Sequence, residues 1–143
     1  MSCKSAIYTA NTAASAITLS TAQPASTISL GTTIRRFGCN IKLNGTGILL
    51  DGEGYYDVNA SVTLTPAATG DYTIKLLADG VEVPGANQTV SAASLSSINF
   101  NIPAIVRLLC CKSSSTLSLQ VSTTATLPAT ITVNNVGVTV TKI

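Results

Sequence analysis

Few residues in this chain are of types that do chemistry. The densest carboxylates are Asp51, Glu53 and Asp57. Oxygen ligands grouped in this way could hold Ca²⁺. A simpler reading is a glycine-rich turn, Asp51-Gly52-Glu53-Gly54, with solvated acids and with Asp57 facing outward on the strand that follows. Lys112 stands beside Ser113, Ser114 and Ser115, and a lysine next to a serine can act as base and nucleophile. A polar loop between two strands explains that cluster better. Arg35, Arg36 and Arg107 could meet a phosphate or an acidic partner surface. Neighbours on a strand face opposite ways, so Arg35 and Arg36 are expected as a snorkelling edge pair.

Two further residue types narrow the chemistry. The protein has no His, which excludes Ser/His and Cys/His nucleophile pairs and every His-containing metal site. Its cysteines are Cys3, Cys39, Cys110 and Cys111, without a C-x-x-C pair, a spacing that does not suit zinc. They are expected to be reduced thiols, mostly buried as small hydrophobes. The alternative is a cross-link between subunits, with Cys3 best placed to reach. No catalytic residue, cofactor or metal is expected.

These side chains sit in 143 residues, enough for one domain. Charged residues make up 10% and hydrophobic residues 45%, and 37 residues are Ser or Thr. The formal net charge of +2 gives no electrostatic footprint for nucleic acid. So little charge on so apolar a protein points to surface covered by copies of itself or by a larger assembly. No run approaches the length of a membrane-spanning helix. No apolar segment follows Lys4 as a secretory signal would require, so synthesis in the cytoplasm without a signal peptide is expected.

The elements that position these residues show period-two alternation. Tyr56, Val58, Ala60, Val62 and Leu64 alternate with Asp57, Asn59, Ser61, Thr63 and Thr65, giving a strand with one buried face that stops at Pro66. Tyr72, Ile74 and Leu76 repeat the pattern, and Asp79-Gly80 supplies a hairpin turn into Val81–Val83, ended by Pro84-Gly85. Further strands are expected at Thr32–Phe37, at Ile41–Leu43 before an Asn44-Gly45 turn, and at Ile48–Leu50. Ile98–Ile102 and Leu117–Val121 alternate as well, whereas Ile105–Cys111 is apolar except for Arg107, as in a strand covered on both sides. Ile131 and Val133 fall on odd positions but Val136, Val138 and Val140 on even ones, which predicts a bulge or turn at Asn134-Asn135. Residues 1–27, rich in Ala, Ser and Thr, read as a loose arm or edge strand and a possible attachment segment. The sum is an all-β, antiparallel two-sheet jelly-roll sandwich of eight to ten strands in a single domain, residues 1–143.

Gly54-Tyr55-Tyr56-Asp57-Val58 resembles the Gly-x-Tyr-x-Val/Phe signature of the tumour necrosis factor-like superfamily, which includes the globular heads of complement and collagen-related proteins. Asn44–Ile48 before it and Leu77–Ala86 after it complete an order similar to small proteins of bacteriophages and prophages. The resemblance covers most of the sequence, from about residue 28 onward. It implies a jelly-roll homotrimer, with Gly54, Tyr56, Val58, Gly80 and Gly85 as structural signature positions. It also implies a virion component without enzymatic activity, a head fibre or capsid decoration partnered by other phage structural proteins. The alternative is a trimeric receptor- or glycan-binding module at a tail tip or bacterial surface. Neither a collagen-like stalk nor a run of coiled-coil heptads is present in the sequence. Tyr56 and Tyr72 are assigned to the core. Tyr55 faces the other way and, with Arg35 and Arg36, is a candidate partner contact.

Overall fold

The computed structural model describes residues 4–109 and 114–143. Twelve strands appear among them: β1 (Ala6–Asn11), β2 (Ser15–Leu19), β3 (Ala25–Thr27), β4 (Thr32–Phe37), β5 (Ile41–Asn44), β6 (Gly47–Asp51), β7 (Gly54–Pro66), β8 (Gly70–Ala78), β9 (Val81–Ala92), β10 (Ile98–Leu108), β11 (Ser114–Thr123) and β12 (Ala129–Lys142). No helix among the described residues is long and apolar enough to cross a membrane. The strands form two antiparallel sheets. Sheet A has the order β10-β7-β12-β1-β4, with β2 also on β12. Sheet B has the order β5-β6-β11-β8-β9, with β3 also on β11.

Side-chain alternation builds the core. In β7, Tyr56, Val58, Ala60, Val62 and Leu64 are fully buried, because every second Cβ of a strand points to the same side. Ile74 and Leu76 of β8, Phe100 and Ile102 of β10, and Leu119 and Val121 of β11 meet them from both sheets. The switch of phase in β12 is a bulge. Pairing with β7 shifts between Val133 and Asn135, and Asn134 Nδ2 donates to Thr65 Oγ1 at 2.6 Å. At the same level β12 changes partner, its first half pairing with β2 and its second half with β1.

Turn chemistry follows local sequence. Asp79 and Gly80 both have positive φ, 53° and 80°, which is the type I′ geometry of a two-residue hairpin. The Asp79 carboxylate accepts from Ser115 Oγ and from the Thr116 amide, both at 3.0 Å, and so ties this turn to β11. Gly45, with φ 62°, opens the β5–β6 turn.

Several features depart from the expectations above. Strands number twelve rather than eight to ten, because residues 6–27 are not a loose arm: β1 lies inside sheet A between β12 and β4, while β2 and β3 are short edge strands that each pair with a single neighbour, β12 and β11. Thr9 is fully buried there, so a polar residue in a Ser/Thr/Ala-rich run occupies an inward position. Pro84-Gly85 does not end a strand. It forms a bulge within β9, opposite the register shift between Lys75 and Leu77, which fits the confinement of proline to such places. Residues 105–109 are not covered on both faces. Val106 and Leu108 are buried, but Ile105 is 63% exposed and Leu109 54%, because alternate residues of β10 point to the outward face of sheet A, opposite Asp57. Cys39 is neither buried nor reduced. It is exposed and disulfide-bonded, and Cys3, Cys110 and Cys111 lie outside the described residues.

Thr9 Oγ1 is buried with no hydrogen-bond partner among the described residues. An orphaned hydroxyl costs roughly 1–3 kcal/mol, and Val keeps the branched shape and the strand preference. Thr9→Val is therefore expected to stabilise the protein by about 1 kcal/mol, read as a higher denaturation midpoint.

Candidate assembly face

The outward residues of sheet A line up in rows fixed by register. One row runs Ile105, Asp57, Thr141, Ala6, Phe37 across β10, β7, β12, β1 and β4. The next runs Pro103, Asn59, Thr139, Tyr8, Arg35. The third runs Asn101, Ser61, Gly137, Ala10, Thr32. Small side chains in the middle of the third row leave an open hollow of about 400 Å³, lined by Tyr8, Asn59, Ser61, Asn101, Gly137 and Thr139 among others. Amides and hydroxyls therefore fill the centre of the face, while apolar groups stand toward its edges. Among the described residues nine large hydrophobic side chains are exposed, and seven belong to sheet A or directly follow its strands: Tyr8, Ile34, Phe37, Tyr55, Ile105, Leu109 and Ile143.

The structure separates the candidate contact residues. Tyr55 is half exposed and sits opposite Arg107, whose guanidinium carbon lies 5.6 Å from the tyrosine ring centroid. That distance allows a cation–π contact. Arg35 shares the outer face but lies three strands away, beside Tyr8 and Phe37 in a small apolar recess. Arg36 turns to the other side, opposite buried Ile7, and its Nε donates to Ile41 O at 2.6 Å. The two arginines thus divide between faces, as strand geometry requires.

The signature residues act on backbone geometry. Gly54 has φ 137°, and a Cβ there would lie 3.2 Å from Lys142 Cε. Val58 is core, and Gly80 and Gly85 hold positive φ in a turn and a bulge. Tyr56 Oη lies 2.6 Å from Gly52 O and 3.0 Å from Asp51 O, so its one proton fastens the turn that enters β7. Burial, with the Asp51 charge adding to it, raises the Tyr56 pKa above the ordinary 10.0. The sign follows from proton binding: the folded state keeps this proton at a pH where the unfolded protein has lost it. Stability from this group is complete below about pH 10 and is lost as pH rises through the higher folded value. Tyr56→Phe is expected to lower stability by about 1–2 kcal/mol at neutral pH. It should also flatten the fall in stability above about pH 10, and denaturant titrations at the two pH values check both effects.

The remaining candidates do not converge. Asp51 ends β6 and Glu53 sits on the β6–β7 turn, while Asp57 faces outward on β7. No three His, Cys, Asp or Glu side chains gather around a metal position among the described residues. Ser114 and Ser115 open β11, and Lys112 and Ser113 lie outside the described residues. The sequence alone offered Tyr8 only as one of several aromatics that could meet a sugar, and it left Ala10, Gly137 and Thr139 unassigned. The signal for Asn59 and Ser61 was present in the polar positions of the β7 alternation, and the register extends it across the sheet.

Solved structures share this arrangement. Murine APRIL superposes with a TM-score of 0.70 at 9% identity, over 98% of this protein and 99% of that one. Eiger TNF from S. frugiperda gives 0.62 at 12% identity, over 97% and 91%. The fold is the tumour necrosis factor-like jelly roll. The same jelly roll relates this protein to PRD1 vertex protein P5, with a TM-score of 0.60 and 14% identity over 97% of this protein and 73% of that one. The sequence matches no protein-family model and no curated protein, so the likeness resides in the backbone.

Proposed function

We propose that this protein is a non-enzymatic structural component of a bacteriophage particle, a homotrimer that decorates the head or projects from it as a fibre. The observation that carries the reading is that, of the nine exposed large hydrophobics among the described residues, five lie on strands of sheet A and two directly follow them. An apolar-rimmed face on a protein with 10% charged residues is what self-association would cover. Likeness to a protein named for a particle vertex supports the placement on a virion surface. Other structural proteins of the particle are then its partners, and assembly follows synthesis in the host cytoplasm.

One observation favours a second reading, a trimeric receptor- or glycan-binding module at a tail tip or cell surface. The hollow in sheet A places an exposed tyrosine ring beside several amides and hydroxyls, groups that suit a neutral sugar.

Light scattering behind a sizing column tests the assembly. The expected mass is that of three protomers, persisting on dilution and in reducing agent. A monomer overturns the proposal. Binding to host cells that soluble glycans compete away would favour the second reading.

A further inference from the structure

We infer that Asn44 is a site of spontaneous covalent modification, where the folded protein converts an asparagine to aspartate and isoaspartate. Asn44-Gly45 is the one Asn-Gly pair among nine asparagines. It stands at the tip of the β5–β6 hairpin, where Asn44 pairs with Gly47 and Gly45-Thr46 forms the loop. Strand β5 is the edge of sheet B, so this end of the hairpin is held from one side.

The chemistry needs the Gly45 amide nitrogen to reach the carboxamide carbon (Cγ) of Asn44. As that N–C bond forms, the bond from Cγ to Nδ2 breaks, and ammonia leaves with the proton given up by the Gly45 nitrogen. A five-membered cyclic imide remains. Water then adds to either imide carbonyl and opens the ring, giving an aspartyl or an isoaspartyl residue without any change of oxidation state.

Three features favour this position over the other asparagines. Gly45 has no Cβ to hinder the approach, and an added Cβ would find no atom of the described residues within 4 Å. Asn44 and both loop residues are exposed. The Asn44 side chain makes no hydrogen bond among the described residues, whereas those of Asn11, Asn40, Asn87, Asn99 and Asn134 are bonded. Asn59, Asn101 and Asn135 lie within the strands of sheet A and precede Ala, Ile and Val. The comparable Asp79-Gly80 turn is protected, because Ser115 and Thr116 hold both carboxylate oxygens. Conversion adds one negative charge per protomer and lowers the formal net charge from +2. The isoaspartyl form also lengthens the backbone by one carbon at the turn.

The test is incubation of the full-length folded protein in mildly alkaline buffer, followed by peptide mapping and isoaspartate detection. Position 44 should convert before any other asparagine, with an acidic shift on ion exchange. Asn44→Gln, which would need a larger ring, should abolish that early shift and leave the melting temperature unchanged. Survival of Asn44 while another asparagine converts overturns the inference, as does persistence of the early shift in the variant. So does conversion at position 44 confined to the denatured protein.

Discussion

A protein lacking residues 1–27 is expected not to fold. The deletion removes β1 from the interior of sheet A, and with it the pairing partner of β4. It also removes β2 and β3, and the core side chains Ile7 and Leu19. Those two side chains alone account for roughly 1.5–3 kcal/mol each, before the lost ladders against β12 and β4 are counted. A domain of ordinary stability has about 5–15 kcal/mol in total. The exposed edge of β12, with Val136, Val138 and Val140 beside it, would then invite aggregation. Circular dichroism and size exclusion check this. A soluble truncated protein with native spectra would show that the N-terminal strands are an appendage after all.

The second large effect concerns the proposed trimer. Ser61 is exposed, in the middle of the neutral row that runs from Asn101 to Thr32. Ser61→Arg would fill the hollow and bring a charge to a row without an acid. In a lone protomer the arginine has open space and solvent. In a trimer closed through sheet A it is covered and unpaired, at a cost of several kcal/mol per copy. The expected result is a folded monomer by light scattering, with unchanged circular dichroism. Ser96→Arg, on the exposed loop between β9 and β10 and outside the three rows, should leave the mass of three protomers intact. A Ser61→Arg protein that keeps the mass of three protomers would place the subunit contact elsewhere.

Much of the fold was legible because the strands with one buried face spell it out. The alternation from Tyr56 to Leu64, the Asp79-Gly80 turn and the change of phase at Asn134 each correspond to an observed feature. The N-terminal strands were obscured because Thr9 and Ser5 are buried although polar, so their pattern does not read as apolar and polar. The run at residues 105–109 misled for the opposite reason. Apolar residues on an edge strand look like a strand covered twice, and composition does not say whether the cover comes from the same protomer. The Cys39 disulfide was hidden because sequence spacing does not show which positions the fold brings together. The candidate assembly face was legible only in part, since the odd positions of β7 were visible but their neighbours across β12 and β1 depend on register.

The position of β12 bears on the order in which the molecule can form. This strand follows in sequence all three strands it pairs with, and it is the centre of sheet A. While the polypeptide leaves the ribosome, β1 and β7 have no bridge between them until residues 129–142 emerge. Sheet A therefore closes late and through contacts distant in sequence, a topology that folds slowly and exposes strand edges meanwhile. Sparse charge makes that interval hazardous, for β7 offers Asp57, Asn59, Ser61 and Thr63 to water on its outward face, whereas β1 offers Ala6, Tyr8 and Ala10.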